Sequence, residues 1–185
     1  MRICILGSPR SGTTSLLNYI SESLNIFKLN EPYNSDFPIT EQSTWPKDNM
    51  AVKHLMHQLS NKQKLDLHKH FDKVVCIYRK DLKASSESWL TGYYTGNWSL
   101  PYTYAETKAI ENSKLNIYSK EFIKEKRKQE IKEINQLKYF TITYEDLFYS
   151  DKDKKRLNKY LNIKSPLLEY LDTSKRLRKD SVYIL

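Results

Sequence analysis

The chain has 185 residues, of which 39% are hydrophobic, and its formal net charge is +9 at pH 7. This length suits one domain spanning residues 1–185 with its own hydrophobic core and leaves no room for a second large domain, because domains most often take roughly 100–150 residues. The positive charge indicates an anionic partner, a class that still includes nucleotides, sulfated or phosphorylated substrates, nucleic acid and membrane surfaces.

Cysteine content and hydropathy narrow the class of protein further. Cys4 and Cys76 each lie inside a short apolar run, a position typical of buried core thiols rather than of a disulfide or a metal site. Met1 leads directly into a predicted strand, and no apolar run reaches the ~18 residues of a membrane span. We therefore expect a cytoplasmic protein with no metal and no membrane partner.

Five short apolar runs predict strands, each short enough to be covered on both faces of a sheet. They lie at residues 3–6, 26–29, 51–55, 74–78 and 139–143, and helical patterns occur between them at 16–24, 59–67 and 82–90. Strands that alternate with helices predict an α/β fold, with three layers around a central, mostly parallel sheet of about five strands.

Three longer segments separate these elements. Residues 104–137 are highly charged and contain neither Gly nor Pro, which predicts a helical insertion of one or two amphipathic helices. Glu125 interrupts the basic run at 124–128 and no aromatic residue does, so we expect a solvated helix face and no nucleic-acid partner. The polar segments 33–49 and 92–101 predict loops and are candidate walls of a substrate site.

The segment from Gly7 to Thr14, Gly-Ser-Pro-Arg-Ser-Gly-Thr-Thr, follows a predicted strand and precedes a predicted helix. In this context a Gly-rich loop forms an anion cradle from its backbone N–H groups and the helix N-terminus. ATP-binding loops read G-x-x-x-x-G-K-[ST], with a Lys that reaches the β- and γ-phosphates, but here Thr13 takes that position. Arg10 is the strong cation of the loop. The pattern favours a single phosphate that carries one transferable group over ATP.

This loop resembles the phosphosulfate-binding loop of the sulfotransferase superfamily, P-[KR]-[ST]-G-[ST]-[ST], here Pro9, Arg10, Ser11, Gly12, Thr13 and Thr14. An Arg in the second position is similar to the carbohydrate, tyrosylprotein and bacterial branches. The resemblance implies a P-loop fold that transfers a sulfuryl group from 3′-phosphoadenosine 5′-phosphosulfate to a hydroxyl or amine without a metal. The acceptor would be a small molecule, a carbohydrate or a peptide.

A second motif begins where the fourth predicted strand ends, at Arg79, and continues to Ser86 and Ser88. A cation at a strand end and a hydroxyl about two helical turns later clamp one phosphate from two sides. The arrangement resembles the 3′-phosphate motif of the family, an Arg followed eight positions later by Ser. Counting back eight from Ser88 gives Lys80, so Ser88 and Ser86 remain alternatives.

A third motif, Tyr-Glu-Asp-Leu at 144–147, resembles the fifth strand of the family, where the Tyr approaches the adenine. The three motifs occur in the family's order and cover roughly residues 2–163. The family's Gly-rich segment over the 3′-phosphate is not recognisable after Tyr144. Four basic residues are candidates to replace it: Lys175, Arg176, Arg178 and Lys179.

The resemblance also implies catalytic roles. Arg10, Thr13 and Thr14 would stabilise the leaving 5′-phosphate, Arg10 by charge alone because a guanidinium does not release its proton at ordinary pH. A base must take the acceptor proton. The first candidate is Glu31, just past the second predicted strand, because carbohydrate and tyrosylprotein sulfotransferases use a Glu in a comparable region.

Two histidines are alternative bases. The small-molecule branch of the family has a K-x-H motif whose His is the base, and Lys53 is followed by His54 and His57, with Leu rather than His two positions after Lys53. Two other functions remain open for the chain as a whole. They are a nucleoside or nucleotide kinase, which the Thr at position 13 disfavours, and a non-catalytic nucleotide-binding module.

Overall fold

Five parallel strands form the centre of the structure, a computed structural model whose described residues are 1–32, 48–95 and 118–171. The strands are β1 (Arg2–Gly7), β2 (Phe27–Asn30), β3 (Met50–Leu55), β4 (Lys73–Tyr78) and β5 (Phe140–Thr143). Their order is β2-β3-β1-β4-β5, and every pairing is parallel. The predicted α/β class with a parallel five-stranded sheet is confirmed.

The described residues contain six α-helices: α1 (Thr13–Leu24), α2 (Asn61–Asp66), α3 (Leu82–Thr95), α4 (Lys120–Gln136), α5 (Tyr144–Tyr149) and α6 (Asp151–Leu161). Short 3₁₀ turns follow β3 at Met56–Gln58, α2 at Leu67–Lys69 and α6 at Leu168–Leu171. Helix α4 confirms the last part of the predicted segment 104–137, and its first part lies outside the described residues. No helix in the described ranges is both long and apolar enough to cross a membrane.

The loop predicted at 92–101 was wrong over its first residues, because α3 continues to Thr95. The rings of Trp89 and Tyr93 stack with centroids 5.2 Å apart across this part of the helix. Side chains four residues apart lie on one helix face, so the aromatic pair holds the turn that contains Gly92. The rest of this segment, most of the predicted loop 33–49 and the basic tail lie outside the described residues.

The central strands β1, β3 and β4 are buried on both faces, as parallel strands usually are, but the expectation was wrong for the edge strand β2, whose residues are mostly exposed because only one strand pairs with it. Ile3 and Ile5 of β1 pack into a first core with α1, α5 and α6, whereas Cys4 and Leu6 pack into a second core with Met56, Leu67 and Ile134. This alternation is the period of two expected of a strand. Each of these buried aliphatic side chains stabilises the fold by roughly 1.5–3 kcal/mol. Cys76 also lies in the second core, and burial raises the pKa of its thiol to about 12.

Strand order decides where a ligand meets the sheet. After β1 the chain crosses through α1 to β2 and returns to β3 beside β1, and it then passes to β4 on the other side of β1. The chain connections on the two sides of β1 therefore run in opposite directions. Such a reversal opens a crevice outside the carboxyl ends of the strands. The loop between β1 and α1 lies at this crevice.

Candidate functional site

The phosphate loop leaves β1 at Gly7 and is fixed to β4 by hydrogen bonds. The backbone N–H of Ser8 donates to the Ile77 carbonyl at 3.3 Å. The Ser11 hydroxyl, which is fully buried, donates to the Ser8 carbonyl at 2.6 Å. Arg10 and Gly12 have positive φ values of 65° and 82°, and such backbone strain in a non-glycine residue is typical of functional loops.

Helix α1 begins without a side-chain cap. Its N-cap residue, Gly12, makes no capping hydrogen bond, and its first turn contains no acidic residue. A Cβ atom at Gly12 would lie 3.0 Å from ring carbons of both Tyr144 and Phe148, so this position needs glycine for its φ and for close packing. Because the first N–H groups of a helix have no partner within it, this helix start is suited to an anion.

Arg10 connects the phosphate loop to α3. Its Nε donates to Ser88 Oγ at 2.8 Å. Ser86, the alternative candidate, is 2% exposed and donates its hydroxyl to the Leu82 carbonyl of its own helix at 2.7 Å. Of the two serines, Ser88 is therefore the one that the structure brings to the phosphate loop.

Arg79 lies at the end of β4 and stacks on an aromatic ring. Its guanidinium carbon lies 4.6 Å from the centroid of the Tyr144 ring, a cation–π distance. The Nε of Arg79 is buried and has no hydrogen-bond partner in the structure. Since buried guanidinium N–H groups are normally paired, this arginine has a donor available for an anionic ligand.

The Arg79-Lys80-Asp81 turn is held by the segment Tyr144-Glu145-Asp146, one residue after another. Besides the stacking of Arg79 on Tyr144, Glu145 accepts hydrogen bonds from the backbone N–H groups of Lys80 at 3.0 Å and Asp81 at 3.1 Å. The Lys80 ammonium pairs with Asp146 at 2.9 Å. The third sequence motif therefore orients the second. The sequence analysis did not predict this contact between the two motifs.

Sequence analysis compared Lys53 with the Lys of the K-x-H motif but missed the contacts of Lys53 itself. It lies in β3, whose residues are all buried, and its side chain is 4% exposed. Its ammonium donates to Thr14 Oγ1 at 2.9 Å and pairs with Glu31 Oε1 at 2.6 Å. Burial lowers the pKa of Lys53, and the hydrogen bond with Glu31 opposes this shift. A lysine inside a buried strand was the available signal, because a buried charge requires a partner.

Glu31 itself is held from three directions. Its backbone N–H donates to the Lys53 carbonyl at 3.0 Å, its φ is 51°, and its Oε2 accepts from Gln58 Nε2 at 2.9 Å. Its side chain remains 20% exposed. Lys53 therefore links Glu31 to Thr14. This link lies at the start of α1, where the phosphate loop ends.

The two candidate histidines lie away from this arrangement. In the parallel register His54 pairs with Leu6 of the second core, while Lys53 pairs with Ile5 of the first, so the two neighbours project to opposite faces of the sheet. Burial lowers the pKa of His54 to about 4, which keeps it neutral. His57 lies on the 3₁₀ turn Met56–Gln58 and is exposed.

We compared the chain with protein-family models, curated proteins and solved structures. No family model and no curated protein matches. The chain is similar to the crystal structure of mouse sulfotransferase SULT7A1 complexed with PAP, with 20% identity and a TM-score of 0.56 over 97% of this chain and 63% of that one. A sugar kinase from Janibacter, solved without ligand, matches with 9% identity and a TM-score of 0.42 over 93% of this chain and 98% of that one.

At this identity the likeness to the mouse sulfotransferase shows the fold, which is a sulfotransferase-like P-loop fold. The chain spans 63% of the length of that structure. The likeness to the sugar kinase is too low to carry an argument. Within the described residues, no group of three His, Cys, Asp or Glu side chains is arranged to hold a metal ion.

Proposed function

We propose that this protein is a sulfotransferase that moves a sulfuryl group from 3′-phosphoadenosine 5′-phosphosulfate to an acceptor hydroxyl or amine. The observation that carries the proposal is the hydrogen bond between Arg10 Nε and Ser88 Oγ at 2.8 Å. It joins a phosphate loop that has Thr13 in the usual Lys position to the helix that follows Arg79. Sites for two separate phosphates thereby adjoin each other.

The donor occupies both sites in this proposal. Its 5′-phosphate binds the uncapped start of α1, with the hydroxyls of Ser11, Thr13 and Thr14 nearby, as helix N-termini bind phosphates. Its 3′-phosphate binds Arg79, whose buried Nε has no partner in the structure, together with Ser88. Tyr144, which lies against both Gly12 and Arg79, provides the surface for the adenine.

The transfer breaks the bond between sulfur and the bridging oxygen of the 5′-phosphate and forms a bond between sulfur and the acceptor oxygen or nitrogen. The electron pair of the broken bond stays on the leaving phosphate, which gains negative charge. Arg10 stabilises that charge from the loop. The acceptor proton passes to a general base.

Glu31 is the base in this proposal. Two hydrogen-bond partners occupy its carboxylate, one on each oxygen, whereas a carboxylate accepts about four hydrogen bonds. It is also partly exposed, at 20%, so an acceptor can reach it. His54 is the alternative, but it is buried on the other face of β3, at 1% exposure, with its pKa lowered by burial to about 4.

Calorimetry with adenosine 3′,5′-bisphosphate, AMP and ATP, each with and without Mg²⁺, tests the proposal. We expect the bisphosphate to bind more tightly than AMP by at least ~10-fold, which is the value of one charge-assisted phosphate contact. Tighter binding of ATP with Mg²⁺ would instead indicate a kinase. Binding without sulfuryl transfer to any small phenol, sugar or tyrosine peptide tested would indicate a nucleotide-binding module. Those acceptors, the cytoplasmic location and the single-domain organisation remain predictions.

A further inference from the structure

The 3₁₀ turn that follows β3, Met56–Gln58, carries an amide side chain next to the proposed base. Gln58 is half-buried, and its amide group makes two hydrogen bonds of opposite sense. Its Oε1 accepts from the backbone N–H of Leu55 at 2.8 Å, and its Nε2 donates to Glu31 Oε2 at 2.9 Å. The side chain therefore connects the last residue of β3 to the carboxylate of Glu31.

The two partners of this amide fix its orientation. A backbone N–H only donates, an ionised carboxylate only accepts, and an amide side chain has an oxygen that accepts and an NH₂ group that donates. Rotation of the amide by half a turn would place its NH₂ group against the Leu55 N–H and its oxygen against the Glu31 carboxylate, so both hydrogen bonds would be lost. The partners therefore select one amide orientation, in which Gln58 is a donor to Glu31.

A second partner holds the other oxygen of the carboxylate. Lys53 Nζ lies 2.6 Å from Glu31 Oε1, whereas Gln58 Nε2 contacts Oε2. The last torsion angle of a glutamate side chain has only weak preferences, so a carboxylate held through one oxygen turns about that bond. With both oxygens held, the plane of the carboxylate is fixed. This matters for transfer because a general base must lie within hydrogen-bond reach of the proton that it takes.

A second glutamine of the chain provides a comparison. Gln63 Oε1 accepts from the backbone N–H of Ser60 at 2.8 Å, three residues earlier, as Gln58 Oε1 does from that of Leu55. Such a contact closes the start of a helical turn. Within the described residues, no carboxylate accepts a hydrogen bond from the Gln63 amide. Capping thus accounts for the side-chain contact of Gln63 but for only one of the two contacts of Gln58.

We propose that Gln58 is a positioning residue for the transfer, whose amide holds the Glu31 carboxylate in one orientation towards the acceptor. The inference rests on the proposed function, in which Glu31 is the base. Gln58 takes up no proton itself, because an amide does not ionise at ordinary pH. Lys53 and His57 are titratable groups that interact with Glu31, the first through its ion pair and the second through its charge. The alternative is that Gln58 only caps its turn.

The first test keeps the cap and removes the positioning contact. Gln58→Glu retains an oxygen for the Leu55 N–H but faces Glu31 with a second carboxylate oxygen. At about pH 8, where both carboxylates are ionised, we expect kcat to fall ~10–100-fold, since repulsion misplaces the base. Gln63→Glu makes the same change at an amide that contacts no carboxylate among the described residues, and it should keep kcat within about twofold. A folded Gln58→Glu with the turnover of the wild type would overturn the inference.

The second test removes the amide and follows the pH dependence. In Gln58→Met the carboxylate loses a hydrogen bond that stabilises its ionised form, so the acidic limb of the pH–rate profile for kcat should move to higher pH by ~0.5–1 unit. Affinity for adenosine 3′,5′-bisphosphate should stay within about twofold in calorimetry, because both partners of the amide lie outside the phosphate loop. Urea unfolding measures stability separately. A loss of stability with an unmoved limb would show a capping role alone and contradict the proposal.

A double-mutant cycle asks whether Gln58 acts through Glu31. If it does, Gln58→Met should lower kcat in the wild type but by less than about twofold in Glu31→Gln, where no base is left to misplace. Equal losses in the two backgrounds would overturn the inference. If Gln58→Glu does not fold, Gln58→Met and this cycle decide the question.

Turnover is measured with the small phenol, the sugar or the tyrosine peptide, whichever the wild type sulfates fastest. Failure of the proposed function is distinguishable from failure of this inference, because it appears in the wild type. That protein would then bind no adenosine 3′,5′-bisphosphate or would sulfate none of the three acceptors.

Discussion

Two regions form the candidate site, and they are built differently. The phosphate-loop half comprises residues 7–14, with Lys53 and Glu31 behind them. The junction half comprises the Arg79-Lys80-Asp81 turn and the Tyr144-Glu145-Asp146 segment that holds it. The first takes its shape from consecutive residues, whereas the second joins positions 65 residues apart in the chain.

In both halves the arginine and the lysine differ in what they contact. Arg10 bonds to the uncharged Ser88 and Arg79 stacks on the Tyr144 ring. By contrast, Lys53 and Lys80 are ion-paired with Glu31 and Asp146. Arg79, whose buried Nε has no partner in the structure, has a donor available for an anion, whereas each of the two lysines is held by a carboxylate. The comparison therefore supports the proposed role of Arg79 in donor binding, whereas Lys53 links Glu31 to the phosphate loop and Lys80 links the Arg79 turn to Asp146.

The largest effect is expected at Glu31, in the phosphate-loop half. Glu31→Gln keeps the shape of the side chain and removes its basicity, which should lower kcat by ~10²–10⁴-fold and remove the acidic limb of the pH–rate profile. His54→Ala, measured in parallel, should keep that limb. If Glu31 only positions Lys53, donor affinity will fall instead and the pH dependence of kcat will not change.

His54 lies on the opposite face of β3 from Lys53, and we expect it to affect the stability of the protein rather than its activity. Because burial lowers its folded pKa from 6.5 to about 4, protonation favours the unfolded chain. Stability should be complete above pH 6.5 and decline as the pH falls towards 4, by about 3 kcal/mol at most. Urea unfolding of His54→Gln should show a flatter pH dependence. An unchanged slope would mean that other groups cause the decline.

Arg10 in the phosphate-loop half should act mainly on turnover. We expect Arg10→Ala to lower kcat at least ~100-fold and to leave nucleotide affinity within about tenfold, since its contact strengthens as the leaving phosphate gains charge. Single-turnover kinetics and calorimetry measure the two quantities. Full activity in this variant would exclude the assigned role.

Arg79 in the junction half should act on selectivity instead. Arg79→Ala should weaken adenosine 3′,5′-bisphosphate binding by about 1.5–3 kcal/mol and leave AMP binding nearly unchanged. Ser88→Ala should have a smaller effect in the same direction, with Ser86→Ala as the matched control. Equal loss of both nucleotides would show that Arg79 does not bind the 3′-phosphate.

The smallest effect is expected at Glu145, which orients Arg79 without contacting the donor. Glu145→Gln keeps one acceptor oxygen and loses the other, so it should reduce the preference for the bisphosphate over AMP by about 1 kcal/mol. Glu145→Asp should keep less of this preference than Glu145→Gln, because its shorter side chain does not reach both N–H groups. Glu121→Gln, on the exposed face of α4, is the control. A change in stability with unaltered preference would limit Glu145 to a structural role.

Local chemistry made much of the fold predictable. The five apolar runs predicted each strand of the sheet to within one residue at either end. For the central strands the reason is that residues buried on both faces leave an uninterrupted apolar pattern, whereas β2 is mostly exposed. The phosphate loop was predictable for a similar reason, since a strand, a glycine and a helix start are consecutive in the chain. Helix α3 is longer than predicted and continues past Gly92, because the stacked rings of Trp89 and Tyr93 extend it. Helix propensity does not include such a contact.

The sequence by itself therefore determined the strand and helix order, the phosphate loop and the residue types of three motifs. Only the tertiary structure decided which serine contacts Arg10, which carboxylate pairs with Lys53 and which segment holds the Arg79 turn. Each of these contacts joins residues between 22 and 78 positions apart. Whether two such residues meet depends on the order of the strands and on the face of the sheet to which each side chain points. The local periodicity of one chain segment encodes neither of these.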